Sequence, residues 1–255
     1  MLDGSLHHLT DEGNIKYILA NVTGPTSRYF SKNHRSFLWI DDVILVIDDV
    51  CSHEDGTFSL LFHPDGVSRK NGIDLSVVNQ QAAVDIRPLW PDYLTESDFE
   101  HDFPYNLKLK AHQGPKAKKT DEKETYYSVT YPIKAQSVKF ITAIILKDSP
   151  ASKNIPQVTR LKGDDLQGVR IAKGDKITDV YLNTRADGHI MHRNSCTNVN
   201  GWDTDAYLLA FSYKKGTDPA VSKNILEWFI GYGSYVRNAH ESIFDSYTKK
   251  YKVIR

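Results

Sequence analysis

The side chains most able to do chemistry in this sequence are its histidines, its cysteines and a few arginines near aspartates. His189 and His192, separated by Ile190 and Met191 and followed by Cys196, have metal-ligating side chains. On a helix that spacing would set both imidazoles on one face. Asp187-Gly188 before them and Asn194-Ser195 after them read instead as strand or turn, and on a strand positions three apart point to opposite faces. No acidic ligand stands at the spacing zinc motifs require, so no metal ligand is assigned. His7-His8 lies in a polar stretch and reads as an exposed pair. His34-Arg35 precedes the first strong apolar run. The pair could face an anionic sugar, although the preferred role for Arg35 is support of a carboxylate such as Asp48.

Other catalytic patterns fail on inspection. Gly163-Asp164-Asp165-Leu166-Gln167-Gly168 lacks the Lys-Ser/Thr of a phosphate loop, and no Gly-x-Ser-x-Gly elbow occurs. Cys51 and Cys196 carry no catalytic signature. They could pair, but two cysteines make no disulfide framework, and unpaired cysteines often serve as buried hydrophobes. Most aspartates sit at turn positions, so no carboxylate pair for glycoside hydrolysis stands out. No catalytic residue is assigned. For sugar binding the first candidates are Trp90 and Tyr93, flanked by Pro88 and Pro91, with His34 and Arg35 beside them. Trp39 and Trp202 could join an uncovered aromatic face, but for any single one of these rings the core is the preferred place.

The elements that would position such residues are strands. Phe37 to Ile40, an Asp41-Asp42 turn, and Val43 to Ile47 form the strongest hairpin signal. The second run is apolar on both faces, as for a strand covered on both sides, and Asp48-Asp49 is expected to end it. Thr57 to Phe62 places Phe58, Leu60 and Phe62 on one face, and Pro64-Asp65-Gly66 turns the chain. Further short strands are expected at Ala82 to Ile86, Tyr126 to Tyr131, Val138 to Leu146, Val169 to Ala172 and Ile177 to Asn183. Tyr207 to Tyr213 puts Tyr207, Leu209, Phe211 and Tyr213 on one face. Ile225 to Ile230, Ser234 to Arg237 and Tyr251 to Ile254 complete the series. Lysine-rich Lys108 to Glu124 reads as an exposed loop. Helix signals are confined to Thr217-Asp218-Pro219 and a turn over Thr95 to Phe99. The class is all-β, a two-sheet antiparallel β-sandwich with few short helices, in one domain over residues 1–255.

Composition agrees with a globular chain. Of 255 residues, 40% are hydrophobic and 25% charged, and the formal net charge is zero. A neutral chain argues against non-specific nucleic-acid binding, while leaving room for a local basic groove. No run approaches the ~20 apolar residues of a membrane span. Met1 to His8 has neither the basic nor the apolar region of a signal peptide.

The order of segments resembles the C-terminal region of heparinase II/III-like proteins. Met1-Leu2-Asp3-Gly4 is similar to the end of the family run that follows its metal-binding "HN" histidine. Tyr17-Ile-Leu-Ala-Asn-Val-Thr-Gly24 is similar to the strand leading into a Tyr-containing loop. Arg35 to Val50 resembles the family's hairpin and is the most recognisable piece. Phe62-His-Pro-Asp-Gly66, Phe140 to Ile145 and Asp203 to Ala210 resemble later segments. The resemblance implies an antiparallel β-sandwich that, in the full-length polysaccharide lyase, joins an α/α toroid. It further implies β-elimination of uronate-containing acidic polysaccharides, glycosaminoglycan or alginate-like, with Tyr and His as base and acid. It implies zinc in the full-length enzyme and a periplasmic or secreted location. The toroid and the His-x-His metal segment have no counterpart in these residues. The expectation is therefore a non-catalytic domain, with no cofactor of its own, that binds acidic polysaccharide or supports a catalytic module. The alternative is a stand-alone carbohydrate-binding or structural β-sandwich.

Overall fold

The computed structural model describes residues 3–80, 82–91, 107–116, 119–163, 165–188, 195–246 and 251–254. The described residues are organised almost entirely as antiparallel strands, grouped in two compact units, 1–155 and 156–255.

The first unit holds β1 (Ser5–Thr10), β2 (Ile15–Asn21), β3 (Phe30–Ile40), β4 (Val43–Phe62), β5 (Val67–Asn71), β6 (Asp74–Asn79), β7 (Ala82–Trp90), β8 (Lys108–Lys116) and β9 (Lys119–Lys147). They form one sheet in the order β1-β2-β3-β4-β9-β7-β6-β5, with β8 added on β9. The expected turn at Asp41-Asp42 closes the β3–β4 hairpin at Ile40 and Val43. Asp41 takes a φ of 49° there, a conformation that aspartate tolerates better than most residues. Val43, Leu45, Val46 and Ile47 are buried, as an apolar run covered on both faces requires.

Three expectations about strand ends are corrected. Asp48-Asp49 does not stop β4, which runs on to Phe62. Both aspartates sit in mid-ladder opposite Phe140 and Lys139 and are matched by basic side chains. Tyr126 to Tyr131 and Val138 to Leu146 are parts of one strand of 29 residues. Pro132, which has no N–H to donate, falls between Tyr131 and Ala135, where the pairing with β4 breaks register. Finally, the described residues of Lys108 to Glu124 are not a loop but the antiparallel pair of β8 with the start of β9. Lys108 and Lys110 flank the buried Leu109, so these two lysines lie on the outer face of an amphipathic strand. Phe58 and Leu60 pack with Leu75, Ile86, Leu109 and Val129 in one core, and Phe62 packs against it, as the alternation from Thr57 to Phe62 predicts.

The second unit is a two-sheet sandwich. One sheet orders β10 (Gln157–Gly163), β11 (Leu166–Lys173), β12 (Lys176–Asn183), β15 (Leu208–Lys214), β16 (Ile225–Gly231) and β19 (Tyr251–Ile254). The other orders β13 (Thr197–Val199), β14 (Trp202–Thr204), β17 (Tyr235–Arg237) and β18 (Ser242–Asp245). Leu209, Phe211 and Tyr213 share one face of β15, as expected, and meet Trp202, Val236 and Phe244 of the smaller sheet. Trp202 is fully buried, lies edge-on to Trp228 at 5.2 Å and donates its indole N–H to Pro219 O at 2.9 Å, as a buried indole must.

Among the described residues helix is minimal: a single turn, α1, at Thr23–Thr26, and a 3-10 turn at Ser222–Asn224. Thr217-Asp218-Pro219 does not start an α-helix. The Asp218 carboxylate accepts from Ala220 N at 2.9 Å, which holds the segment in a local turn. The turn expected at Thr95 to Phe99 lies outside the described residues. Cys51 and Cys196 are free thiols. No described helix is long and apolar enough to cross a membrane.

Candidate functional site

His34 and Arg35 are neighbours on β3, so strand alternation sends them to opposite faces and they do not converge on one ligand. His34 is buried in a cross-strand row with Asn21, Asp49 and Lys139. Asp49 receives Lys32 Nζ and Lys139 Nζ, each at 2.6 Å. Burial pushes its carboxyl up, but the two ammonium groups outweigh burial and hold it below the usual range. On the other face Arg35 Nε meets Asp48 Oδ1 at 2.6 Å, the carboxylate partner expected from the sequence. Here burial wins over the single guanidinium and the Asp48 carboxyl is raised. Its Oδ2 is buried with no hydrogen-bond partner among the described residues.

Trp90 is only 5% exposed and offers little ring surface to a ligand. Tyr93, His189 and His192 lie outside the described residues. Of the remaining tryptophans named from sequence, Trp202 is core, while Trp39 is 45% exposed and donates to Asp41 O at 2.6 Å.

A cleft of about 370 Å³ opens in the first unit, between the start of β3 and the bent middle of β4. Two irregularities create it. A bulge between Phe30 and Lys32 turns the start of β3, and β4 loses register with β9 between Cys51 and Phe58. Phe30 and Phe58, 6.4 Å apart, pack together and line the cleft. Arg28 lies 5.5 Å over the ring of Tyr29, which is 62% exposed. Such a contact contributes about 0.5–1 kcal/mol and keeps the two groups together. His53 donates its backbone N–H to Tyr29 O at 3.1 Å, and its Nε2 lies 2.9 Å from Ser27 O. A carbonyl partner requires Nε2 to carry the proton, which leaves Nδ1 for a ligand. Ser52 Oγ is tied to Glu54 O at 2.5 Å and Gln136 O at 3.2 Å, which fixes this rim of the cleft. The cleft thus joins an apolar lining to an open phenol, a guanidinium and an imidazole, with Glu54 as its carboxylate. A guanidinium of this kind recognises carboxylate or sulfate through paired N–H donors, and an exposed phenol ring can lie against a sugar.

Sequence reading missed this site because its parts look ordinary. Arg28-Tyr29-Phe30 is a loop leading into a strand, and His53 stands over twenty residues away. Only the pairing of β3 with β4 brings them together. The one pointer was the Tyr-containing loop expected after Tyr17 to Gly24.

The second unit carries a buried polar centre of a different kind. Asp179 is fully buried and accepts from Arg170 Nε at 2.7 Å, Arg170 Nη2 at 2.8 Å and the Tyr213 hydroxyl at 2.9 Å. Asn200 Nδ2 donates to the Tyr181 hydroxyl at 3.0 Å beside it. The hydrogen bonds that Arg170 donates to Asp179 raise the pKa of Arg170. Burial and the charge of Asp179 raise Tyr181 and Tyr213. The groups are locked to one another, so the centre reads as structural. Among the described residues no three His, Cys, Asp or Glu side chains are grouped to hold a metal ion.

These features define an all-β protein of antiparallel sheets, sandwiched in its second unit and cleft in its first. Its fold is similar to that of solved heparinase structures. One is a heparinase III, with a TM-score of 0.52 at 11% identity, covering 71% of this chain and 27% of that one. Another is a heparan sulfate lyase from Pedobacter heparinus, with a TM-score of 0.52 at 12% identity, covering 71% of this chain and 28% of that one. The chain therefore spans little more than a quarter of the length of the structures it matches, and the likeness is one of fold. No family model matches the sequence, and neither does any curated protein.

Proposed function

We propose that this chain is the β-sandwich part of an exported acidic-polysaccharide lyase, and that it binds the anionic polymer without cleaving it. The observation that carries the reading is the cleft of Arg28, Tyr29 and His53 over Phe30 and Phe58, which pairs an anion-binding group with an exposed ring. The heparinase-like fold supports a uronate-containing or sulfated chain as the ligand. The enzymes with that fold are far longer than this chain, which supports a binding part and not a whole enzyme.

The test is calorimetric titration of the purified chain with heparan sulfate, with neutral dextran as control. Binding to heparan sulfate alone is expected. Arg28→Ala and Tyr29→Ala should each weaken it about tenfold, equivalent to about 1.4 kcal/mol, with thermal unfolding unchanged. Absorbance of the unsaturated uronate formed by β-elimination should stay flat. Unchanged affinity in both variants would remove the cleft from the proposal, and rising absorbance would remove the non-catalytic role.

A further inference from the structure

Among the described residues, β4 beyond Thr57 pairs only with β9, and β8 pairs only with β9, so these three strands form a narrow extension of the sheet. One face of it is core, carrying Phe58, Leu60, Leu109 and Val129. Alternation places Leu61, His63, Tyr126, Lys110 and His112 on the other face. Leu61 is 56% exposed, and the side chain of His63 is 54% exposed.

Across that face three rings stand side by side. Tyr126 is stacked on His63 at 5.1 Å and 13° and on His112 at 4.9 Å and 16°. The spacing is close to that of neighbouring strands, about 4.7–4.9 Å, so the backbone itself sets the ladder. Gly114 makes room for it, because a Cβ there would lie 3.0 Å from Tyr126 Cε1. His112 Nε2 is 2.8 Å from Ser128 Oγ, and His63 Nδ1 is 3.5 Å from Glu124 Oε1. Both faces of the middle ring are covered, so Tyr126 offers its edge and not a stacking plane. Lys110 lies in the adjacent row, with Lys108 one row further along the same face. On the described part of this face two lysines and two imidazoles stand against Glu124.

We propose that this open face is a second contact surface for an anionic polysaccharide, one that engages a long chain beyond the cleft. The proposal rests on the polymer assigned to the cleft above. Lys110 and the imidazole edges take carboxylates or sulfates of the chain. A single-stranded nucleic acid is the poorer fit, because its bases need open ring faces for stacking.

Heparan sulfate polymer and a heparan sulfate tetrasaccharide distinguish the two surfaces, with poly(dT) as a competing polyanion. Lys110→Glu, and separately His63→Gln with His112→Gln, should weaken polymer binding about tenfold through lost multivalency and leave the tetrasaccharide unchanged. Arg28→Ala with Tyr29→Ala should weaken both ligands. Wild-type polymer affinity in both face variants would overturn the second surface and leave the cleft standing. Loss of polymer binding in the face variants alone would keep the surface and remove the cleft. No binding by the wild-type chain, or equal binding of poly(dT), would overturn the surface.

Discussion

Replacing Asp179 by asparagine tests the physical reading of the second unit most directly. The carboxylate is fully buried and takes three donors at 2.7–2.9 Å, two from Arg170 and one from Tyr213. The amide keeps the shape but loses the charge, and it turns an N–H₂ toward groups that are themselves donors. Breaking a buried ion pair costs about 3–5 kcal/mol. The Arg170 side chain is 37% exposed, so its guanidinium can recover some hydration, which places the expected loss near the lower end. Urea unfolding followed by tryptophan fluorescence should therefore show a loss of about 3 kcal/mol in Asp179→Asn. Arg170→Met combined with Asp179→Leu should recover most of it, because an apolar pair of similar volume carries no desolvation cost. A loss under about 1 kcal/mol in Asp179→Asn, the scale of an exposed pair, would refute the argument that burial makes this centre strong.

Acid stability should separate the two adjacent aspartates of β4. Asp49 is held below its unfolded value, so the stability it contributes is complete above about pH 4 and is lost as pH falls through its folded pKa. Asp49→Asn should cost about 3 kcal/mol at neutral pH and progressively less in acid. Asp48 is raised, so folding disfavours its charged form relative to the unfolded chain, a cost present above the folded pKa. Asp48→Asn should be at least as stable as wild type there, with the difference shrinking as pH falls. Urea midpoints across an acid series check both signs. In β11, Gly168→Ala would put a Cβ 2.7 Å from Leu161 Cβ and 2.9 Å from Leu161 O. It should cost about 1–3 kcal/mol by overpacking, read as a lower melting temperature. An unchanged melting temperature would mean that the β10–β11 pair relaxes freely.

Much of the strand pattern was legible because alternation is local. Phe58, Leu60 and Phe62, and likewise Leu209, Phe211 and Tyr213, declare a buried face within a few residues. The pairing of Arg35 with Asp48 also followed from local order, since the two lie on either side of a tight hairpin. Strand ends were harder. Asp48-Asp49 reads as a stop only while Arg35, Lys32 and Lys139 are out of view, and Lys139 arrives from a strand ninety residues away. The lysines of β8 read as a loop because the core under Leu109 is built by other strands.

The candidate site followed the same division. The sequence by itself determined the class, an all-β chain of alternating strands, and it carries neither a nucleophile-elbow nor a phosphate-loop signature. These properties depend on residues close together along the chain. Only the tertiary structure decided that β3 reaches back to Phe30 and so takes in His34 and Arg35, and that Trp90 is buried. It also decided that Arg28, Tyr29 and His53 share a cleft. A binding site needs groups from distant segments held at fixed separations, and those separations come from strand register, bulges and the breaks between them. No local pattern of side chains encodes them.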